Sequence, residues 1–260
     1  MDFSWLQRTE ALFGSEKIKK ISEANVLVVG LGGVGSFAAE FIVRAGVGNL
    51  TIVDGDTVEF TNRNRQLPAL ISTEGQHKAE IMAARLLDIN SKLNLTVIND
   101  YMTEEKIQSL FAHQTFDYVV DAIDTISPKI SLIKNALNRN VPIVSSMGAG
   151  GKLDPMQLKI SKIENTYNCF LAQQVRKNTK KWGIKKSFLA VFSSELQVKE
   201  KVQLVEGNFH KKSYYGTVSY MPSLFGAYAA SVVVRELIGE KVQLYAPIKK
   251  PVKKPKKKKS

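Results

Sequence analysis

Two groups of residues in the first part of the chain have the types and spacing needed to bind a nucleotide. Glycines at positions 30, 32, 33 and 35 follow a short β-branched run, a spacing typical of a turn that holds phosphates at a helix N-terminus. The segment that begins at Asp54 adds carboxylates, amides and cations that could contact ribose and phosphate oxygens. The candidate nucleotide-binding residues are Gly30, Gly32, Gly33, Gly35, Asp54, Asp56, Asn62, Arg65, Gln66 and Lys78.

The glycines and the first aspartate have separate roles in such a turn. Gly30 permits a tight exit from the strand, Gly32 lets the backbone approach phosphates, and Gly35 lets the next helix pack closely on the sheet. Asp54 ends the following strand, where a carboxylate can accept hydrogen bonds from ribose hydroxyls. These features fit either NAD or ATP.

The cations favour a triphosphate. Arg65 offers a planar fork for two phosphate oxygens and Lys78 a compact charge, and neither has a purpose in NAD binding. Two acids near the end of a predicted strand, Asp121 and Asp124, could hold Mg²⁺, a hard ion that prefers oxygen ligands. We favour Asp124 for the metal, while Asp121 is either a competitor for that role or a buried structural acid.

Apolar runs alternate with helical patterns over the first part of the chain. The predicted strands are 25–29, 50–53, 95–99, 118–122 and 141–145, and the predicted helices are 33–45, 75–90, 103–112 and 128–139. This order predicts an α/β fold with a Rossmann-like, doubly wound and mostly parallel sheet. Strand-like stretches at 157–163 and 189–192 predict antiparallel additions to that sheet in the C-terminal third.

The remaining segments suggest one catalytic domain and a tail. We expect residues 1–240 to form a single ATP-binding domain and 241–260 to form a lysine-rich, disordered tail. The polar, basic stretch 177–186 suggests a mobile loop. The apolar stretch 218–234 is broken by Pro222 and Gly226 and falls short of the ~20 residues of a spanning helix, so it predicts a buried helix and no stable membrane insertion.

Charge and cysteine content limit the classes of protein. The formal net charge is +13, but eight lysines lie between 249 and 259, and without them the charge is only +5. The tail therefore either increases solubility or supplies mobile lysines that neutralise RNA phosphates. Cys169 is the only cysteine, which excludes an intramolecular disulfide and any paired-cysteine zinc site and fits a cytoplasmic location.

The chain resembles the ubiquitin-activating-type, ThiF-like adenylating family in three places. These are the segment from Asp54 to Gln66, Lys78 downstream of it, and an Asp-Ala-Ile-Asp sequence that ends at Asp124. Members activate carboxylates with ATP, so the resemblance implies ATP and Mg²⁺ as cofactors. It also implies that Arg8 reaches the ATP of the other subunit in a homodimer. The residues that it implies for catalysis are Arg65, Lys78, Asp124 and Arg8, with Asp124 as the metal ligand.

The chain resembles one branch of this family more closely than the other branches. The segments 44–48, 148–155 and 191–195 resemble the tRNA threonylcarbamoyladenosine dehydratases, which cyclise the threonylcarbamoyl side chain on adenosine 37 of tRNA. The resemblance covers the chain from Arg8 to about Gly239. Sulfur-relay proteins are a further partner class for this branch, although Leu189 and Ala190 stand where relatives have a cysteine.

A tRNA substrate requires a surface for RNA. A basic stretch interrupted by one tryptophan could neutralise phosphates and stack on an unpaired base, or it could be a solvated loop. The candidate RNA-binding residues are Arg176, Lys177, Lys180, Lys181, Trp182, Lys185 and Lys186.

Three other functions stay open at this point. Adenylation of a ubiquitin-like sulfur-carrier protein would use the same ATP site on a diglycine C-terminus. An NAD-dependent dehydrogenase would leave the cations unused. An RNA-binding module without catalysis would rely on the lysine tail alone.

Overall fold

The computed structural model of the protein describes residues 4–196, 202–204 and 213–246. Its strands are β1 (Asn25–Val29), β2 (Asn49–Val53), β3 (Asn94–Ile98), β4 (Tyr118–Asp121), β5 (Ile143–Ser146), β6 (Leu158–Lys162), β7 (Leu189–Ser193), β8 (Val202–Leu204) and β9 (Ser213–Tyr215). Its α-helices are α1 (Gln7–Phe13), α2 (Ser15–Glu23), α3 (Gly35–Arg44), α4 (Lys78–Ile89), α5 (Glu104–His113), α6 (Ile126–Asn138), α7 (Phe170–Lys181) and α8 (Tyr220–Leu237). Short 3₁₀ helices occur at Ser4–Leu6, Phe60–Asn62, Ile71–Thr73, Pro155–Gln157 and Ile163–Asn165.

The main sheet has seven strands in the order β3-β2-β1-β4-β5-β7-β6. Neighbouring strands run parallel except at the β6–β7 edge, which is antiparallel, so the predicted doubly wound, mostly parallel sheet is confirmed. The stretch 189–192 differs from expectation, because β7 pairs in parallel with β5 and antiparallel only with β6. The physical reason is α7, which lies between β6 and β7 and returns the chain in the direction of β5.

Side chains alternate between the two faces of the sheet. In β1, Val26 and Val28 face a core shared with α3, α4 and α8, while Leu27 and Val29 face a second core shared with α5, α6 and α7. All four side chains are buried, and each buried aliphatic group stabilises the fold by about 1.5–3 kcal/mol. The two cores hold β1 and β4 rigidly side by side at the centre of the sheet.

The predicted buried helix near the C-terminus is confirmed as α8. Pro222 lies in its first turn, where a missing N–H group breaks no helical hydrogen bond. Gly226 lies against the start of α3, because a Cβ atom there would be 2.4 Å from the Val34 carbonyl oxygen. Among the described residues, no helix is long and apolar enough to cross a membrane.

The loop prediction for 177–186 is wrong over its first half. α7 continues to Lys181, because Ala172, Val175 and Thr179 follow helical spacing and are buried against the second core. The tail boundary at 240 falls within a segment that packs on the body, since Tyr245 donates its N–H to the Ile160 carbonyl oxygen at 2.7 Å. Residues 247–260, the remainder of the tail predicted for 241–260, lie outside the described residues.

Candidate nucleotide-binding site

The glycine turn lies where the chain order of the strands reverses, between the carboxyl ends of β1 and β4. Gly30 has a φ of +90°, and a Cβ atom there would lie 2.8 Å from the Ala122 carbonyl oxygen. A Cβ atom at Gly35 would lie 1.7 Å from the Gly30 carbonyl oxygen. The turn therefore needs glycine at both positions, and it places the start of α3 at the crevice where doubly wound folds bind nucleotides.

Gly32 is different, which gives a direct test of its role. The nearest atom to a Cβ at this position is Gln66 Nε2, at an ordinary contact distance of 3.7 Å. We expect Gly32→Ala to fold with a melting temperature near that of the wild type but to lose about tenfold or more in ATP affinity, because the added methyl group occupies the path of the phosphates. Gly35→Ala is the contrasting variant and should be destabilised by ~1–3 kcal/mol or more. Thermal unfolding and calorimetric ATP titration measure both effects, and wild-type ATP affinity in Gly32→Ala would rule out a phosphate site at this turn.

Asp54 joins the glycine turn to the end of β2. Its Oδ2 accepts the Leu31 N–H at 2.5 Å and its Oδ1 accepts the Asp56 N–H at 2.8 Å. Burial raises the pKa of Asp54, and the positive charge of Lys78 opposes that rise. The carboxylate is therefore fixed beside the turn with Lys78 close to it, as a ribose-binding acid would be.

Lys78 begins α4 and is almost fully buried, with 4% of its surface exposed. Its Nζ lies 2.8 Å from Asp56 Oδ2. The other oxygen of Asp56 accepts a hydrogen bond from the Tyr101 hydroxyl at 2.8 Å, and this bond raises the pKa of Tyr101 to about 12. Sequence reasoning missed Tyr101, whose one signal was its position just after β3, at the same edge of the sheet.

Arg65 follows the 3₁₀ helix Phe60–Asn62 and is half-buried. Burial lowers its pKa, while the negative charges of Asp124 and Glu59 act in the opposite direction. Its Nη1 donates to the Thr61 carbonyl oxygen at 3.1 Å and to Asn64 Oδ1 at 2.8 Å. Arg65 and Asp124 thus lie close enough for their charges to interact.

The two amides of this loop have different environments. Asn62 is buried, and its Oδ1 accepts the Glu59 N–H at 3.3 Å, so its side chain shapes the loop. Gln66 lies beside Gly32, and its Oε1 is buried without a hydrogen-bond partner among the described residues. A buried acceptor without a partner costs free energy, and a donor group on a bound nucleotide would relieve that cost.

The structure separates the two aspartates that the sequence left in competition. Asp121 is fully buried, forms an ion pair with Lys129 at 2.8 Å, and accepts the Ser145 hydroxyl at 2.5 Å. It also accepts the Ile123 N–H at 3.1 Å, so its oxygens are engaged in holding the turn after β4. Asp124 is exposed three residues later, at the mouth of the crevice.

The residues around Asp124 fit a magnesium ion that is bound mainly by the phosphates of a nucleotide. The described residues contain no group of three or more His, Cys, Asp or Glu side chains that could hold a metal. Mg²⁺ is usually bound by one or two carboxylates together with substrate phosphates and water, so a lone Asp124 is a sufficient protein ligand.

Arg8 lies near the opposite edge of the sheet from this site. It is exposed on α1, two residues after Leu6, whose side chain lies against Gly46 at the amino end of β2. The crevice lies at the carboxyl ends of the strands, about 17 Å away for strands of five residues.

The basic stretch of α7 also lies toward the amino edge. Lys186 Nζ donates to the Leu137 carbonyl oxygen at 3.0 Å and to Asn140 Oδ1 at 2.5 Å, and both acceptors precede β5. The Trp182 ring is partly exposed, with Lys134 Nζ 4.9 Å from its centroid, and Arg176 donates to the Thr166 hydroxyl. The exposed cations of this stretch are Lys177, Lys180, Lys181, Lys185 and Lys186.

The doubly wound sheet and the polar residues around its central crevice define a nucleotide-binding α/β protein. Residues 6–255 match the ThiF family, so the chain belongs to that family.

Relatives with known names are similar over most of the chain. The tRNA threonylcarbamoyladenosine dehydratase of Bacillus subtilis (strain 168) is 40% identical over 238 residues, which cover 89% of this chain and 93% of the relative. The crystal structure of Escherichia coli tRNA N6-threonylcarbamoyladenosine dehydratase in complex with ATP has a TM-score of 0.81 and 33% identity, covering 91% of this chain and 96% of the other. The molybdopterin-synthase adenylyltransferase of Haemophilus influenzae is 36% identical over 132 residues, which cover only 51% of this chain.

Proposed function

We propose that this protein is an ATP-dependent tRNA threonylcarbamoyladenosine dehydratase. The observation that carries the proposal is the grouping of Lys78, Arg65 and Asp124 around a glycine turn, an arrangement suited to a triphosphate. The substrate follows from the relatives of that name, which are similar over nearly the whole chain. The carrier-protein alternative has weaker support, because similarity to the adenylyltransferase covers about half of the chain.

In the proposed reaction, the carboxylate of the threonylcarbamoyl side chain attacks a phosphorus atom of ATP and displaces either ADP or pyrophosphate. Lys78 and Arg65 stabilise negative charge on the phosphoryl oxygens, and Asp54 orients the ribose. Asp124 would hold Mg²⁺, which neutralises phosphate charge when it is bound. The activated carbonyl then carries a phosphoryl leaving group that retains one oxygen of the former carboxylate.

Ring closure needs no nucleophile from the protein. The carbamoyl group attacks the activated carbonyl through its nitrogen or its oxygen and loses one N–H proton, a five-membered hydantoin or oxazolone ring forms, and the phosphoryl group leaves. The net change in the nucleoside is loss of one water. Intramolecular attack can reach effective molarities of ~10⁵ M or more, so positioning alone provides the acceleration. Cys169 is buried and is the chain's only cysteine, so neither a thioester nor a sulfur-relay partner enters the proposal.

We further propose a homodimer in which Arg8 of one subunit reaches the ATP of the other. Support comes from its exposure and from the packing of Leu6, two residues earlier, at the amino end of the sheet. A mixture of Arg8→Ala and Lys78→Ala subunits should regain activity that neither variant has alone, because one site of each mixed dimer then contains both wild-type residues. Activity is measured after co-expression and purification through two different tags. No gain in the mixed dimer would contradict an Arg8 contribution across subunits.

For the RNA, we propose that the exposed lysines of α7 contact phosphates of the tRNA body while the modified nucleoside occupies the crevice. We place the reaction in the cytoplasm, where unbound tRNA and ATP occur together.

The proposed function is tested by incubating the protein with ATP, Mg²⁺ and tRNA that contains threonylcarbamoyladenosine, and then measuring nucleoside masses. Loss of one water that requires ATP supports the proposal. An unchanged nucleoside, together with adenylation of a carrier-protein C-terminus, would establish the alternative instead.

A further inference from the structure

A pair of aromatic rings lies at the same edge of the sheet as the nucleotide site. Phe170 and Tyr215 have ring centroids 6.5 Å apart and planes inclined by only 15°. Both side chains are half-buried, and both lie outside the two hydrophobic cores of the described residues. The aromatic pair therefore lies beside the two hydrophobic cores and not within them.

Contacts place this pair beside the end of β5. A Cβ atom at Gly150 would lie 2.7 Å from Tyr215 Cβ, and one at Gly148 would lie 3.6 Å from Cys169 Sγ, just before Phe170. The Gly151 N–H donates to the Gly216 carbonyl oxygen at 2.8 Å. The glycines after β5 thus let the backbone approach the aromatic pair closely.

A second set of contacts joins the pair to the nucleotide loop. Asn64 Nδ2 donates to the Thr217 carbonyl oxygen at 3.0 Å, and the Thr217 hydroxyl donates to the Tyr215 carbonyl oxygen at 3.0 Å. Asn64 also accepts from Arg65, the candidate phosphate-binding residue. Because two residues span at most about 7 Å, the Tyr215 backbone lies close to the loop that carries Arg65.

We propose that Phe170 and Tyr215 form the stacking site for the purine base whose side chain is activated, an inference that rests on the proposed function. The carboxylate of that side chain must reach the phosphates, so its base must lie within one short side-chain length of the crevice. Aromatic faces bind unpaired bases by stacking, and this mode suits a nucleoside turned out of an anticodon loop. Burial raises the pKa of Tyr215.

In such a site, the two rings determine the specificity for the nucleoside and do not contribute to ATP binding. Stacking on one aromatic side chain is worth about 5- to 150-fold in affinity. Tyr215→Ala and Phe170→Leu should therefore raise the KM for modified tRNA by roughly tenfold or more, with ATP affinity unchanged. Tyr215→Phe and Phe170→Tyr keep a ring and should retain a KM near that of the wild type. Phe41→Leu is the matched control, since Phe41 pairs with Phe37 on α3 at the same centroid distance of 6.5 Å.

A competition measurement adds a readout that does not depend on the stability of the truncated variants. The free nucleoside N6-threonylcarbamoyladenosine should inhibit the wild-type enzyme and Tyr215→Phe at least about tenfold more strongly than N-carbamoylthreonine, which lacks the base. Equal inhibition by both compounds, or an unchanged tRNA KM in Tyr215→Ala, would overturn the stacking site while leaving the proposed function intact. A wild-type protein that does not convert modified tRNA would overturn the proposed function itself.

Discussion

Arg65→Ala is expected to lower kcat/KM for conversion of modified tRNA by at least about 100-fold, because it removes a preorganised donor to the phosphoryl oxygens. The half-buried guanidinium lies near Asp124, and no solvent cation can replace it in that geometry. Asp124→Ala should have a similar effect on conversion. Neither change should weaken tRNA binding, since both residues face the nucleotide.

The matched control for the Arg65 substitution is Arg63, two residues earlier in the chain. Arg63 is exposed, and its Nε donates to the Phe60 carbonyl oxygen at 3.1 Å. Arg63→Ala should therefore change kcat/KM by no more than about twofold, within the usual range for surface substitutions. Steady-state kinetics with purified variants compare the pair directly. Full activity of Arg65→Ala, or equal losses in both variants, would reject the phosphate assignment.

Asp121→Ala is expected to affect stability more than any other acidic substitution near the site. The change leaves Lys129 buried without its counter-charge, which typically costs about 3–5 kcal/mol. The midpoint of urea unfolding should fall accordingly, whereas Asp124→Ala should leave it within the error of the wild-type value. The substitution of Asp121 would then affect mainly stability, and the substitution of Asp124 would affect mainly catalysis.

A double variant distinguishes loss of the ion pair from general damage to the turn after β4. Asp121→Asn combined with Lys129→Met removes both charges, and replacement of a buried pair by neutral groups is often close to neutral in stability. We expect the double variant to be more stable than Asp121→Ala. A double variant that is less stable than either single change would show that the charge pair is not the source of the effect.

The elements that hold the nucleotide turn were predictable because each has a local cause. β1 occupies the predicted residues 25–29, since a β-branched run bounded by polar residues is sufficient to define a buried strand. α4 begins at Lys78 instead of residue 75, because Gly75 has a φ of +83° and His77 pairs with Thr57 in an isolated bridge. The helix boundary therefore depends on a contact with a distant segment.

Features that depend on tertiary contacts were not predictable. The sequence left Asp121 and Asp124 in competition, and only the approach of Lys129 and Ser145 shows that Asp121 is structural. The many basic residues of α7 suggested a loop, although the helix also has a stripe of buried residues. That stripe is evident only in the structure, where α7 packs on α6. The roles of the candidate site residues stay predictions, and the experiments above are chosen to test them.

Activation of the carboxylate by ATP can be followed through the transfer of a labelled oxygen atom. Modified tRNA labelled with ¹⁸O in both carboxylate oxygens is converted with ATP, and the phosphate-containing products are analysed by mass spectrometry. Activation of the carboxylate by ATP predicts one ¹⁸O atom in AMP or in inorganic phosphate for each ring that closes, and one ¹⁸O retained in the cyclic nucleoside. Conversion without ¹⁸O in any phosphorus-containing product would contradict the account.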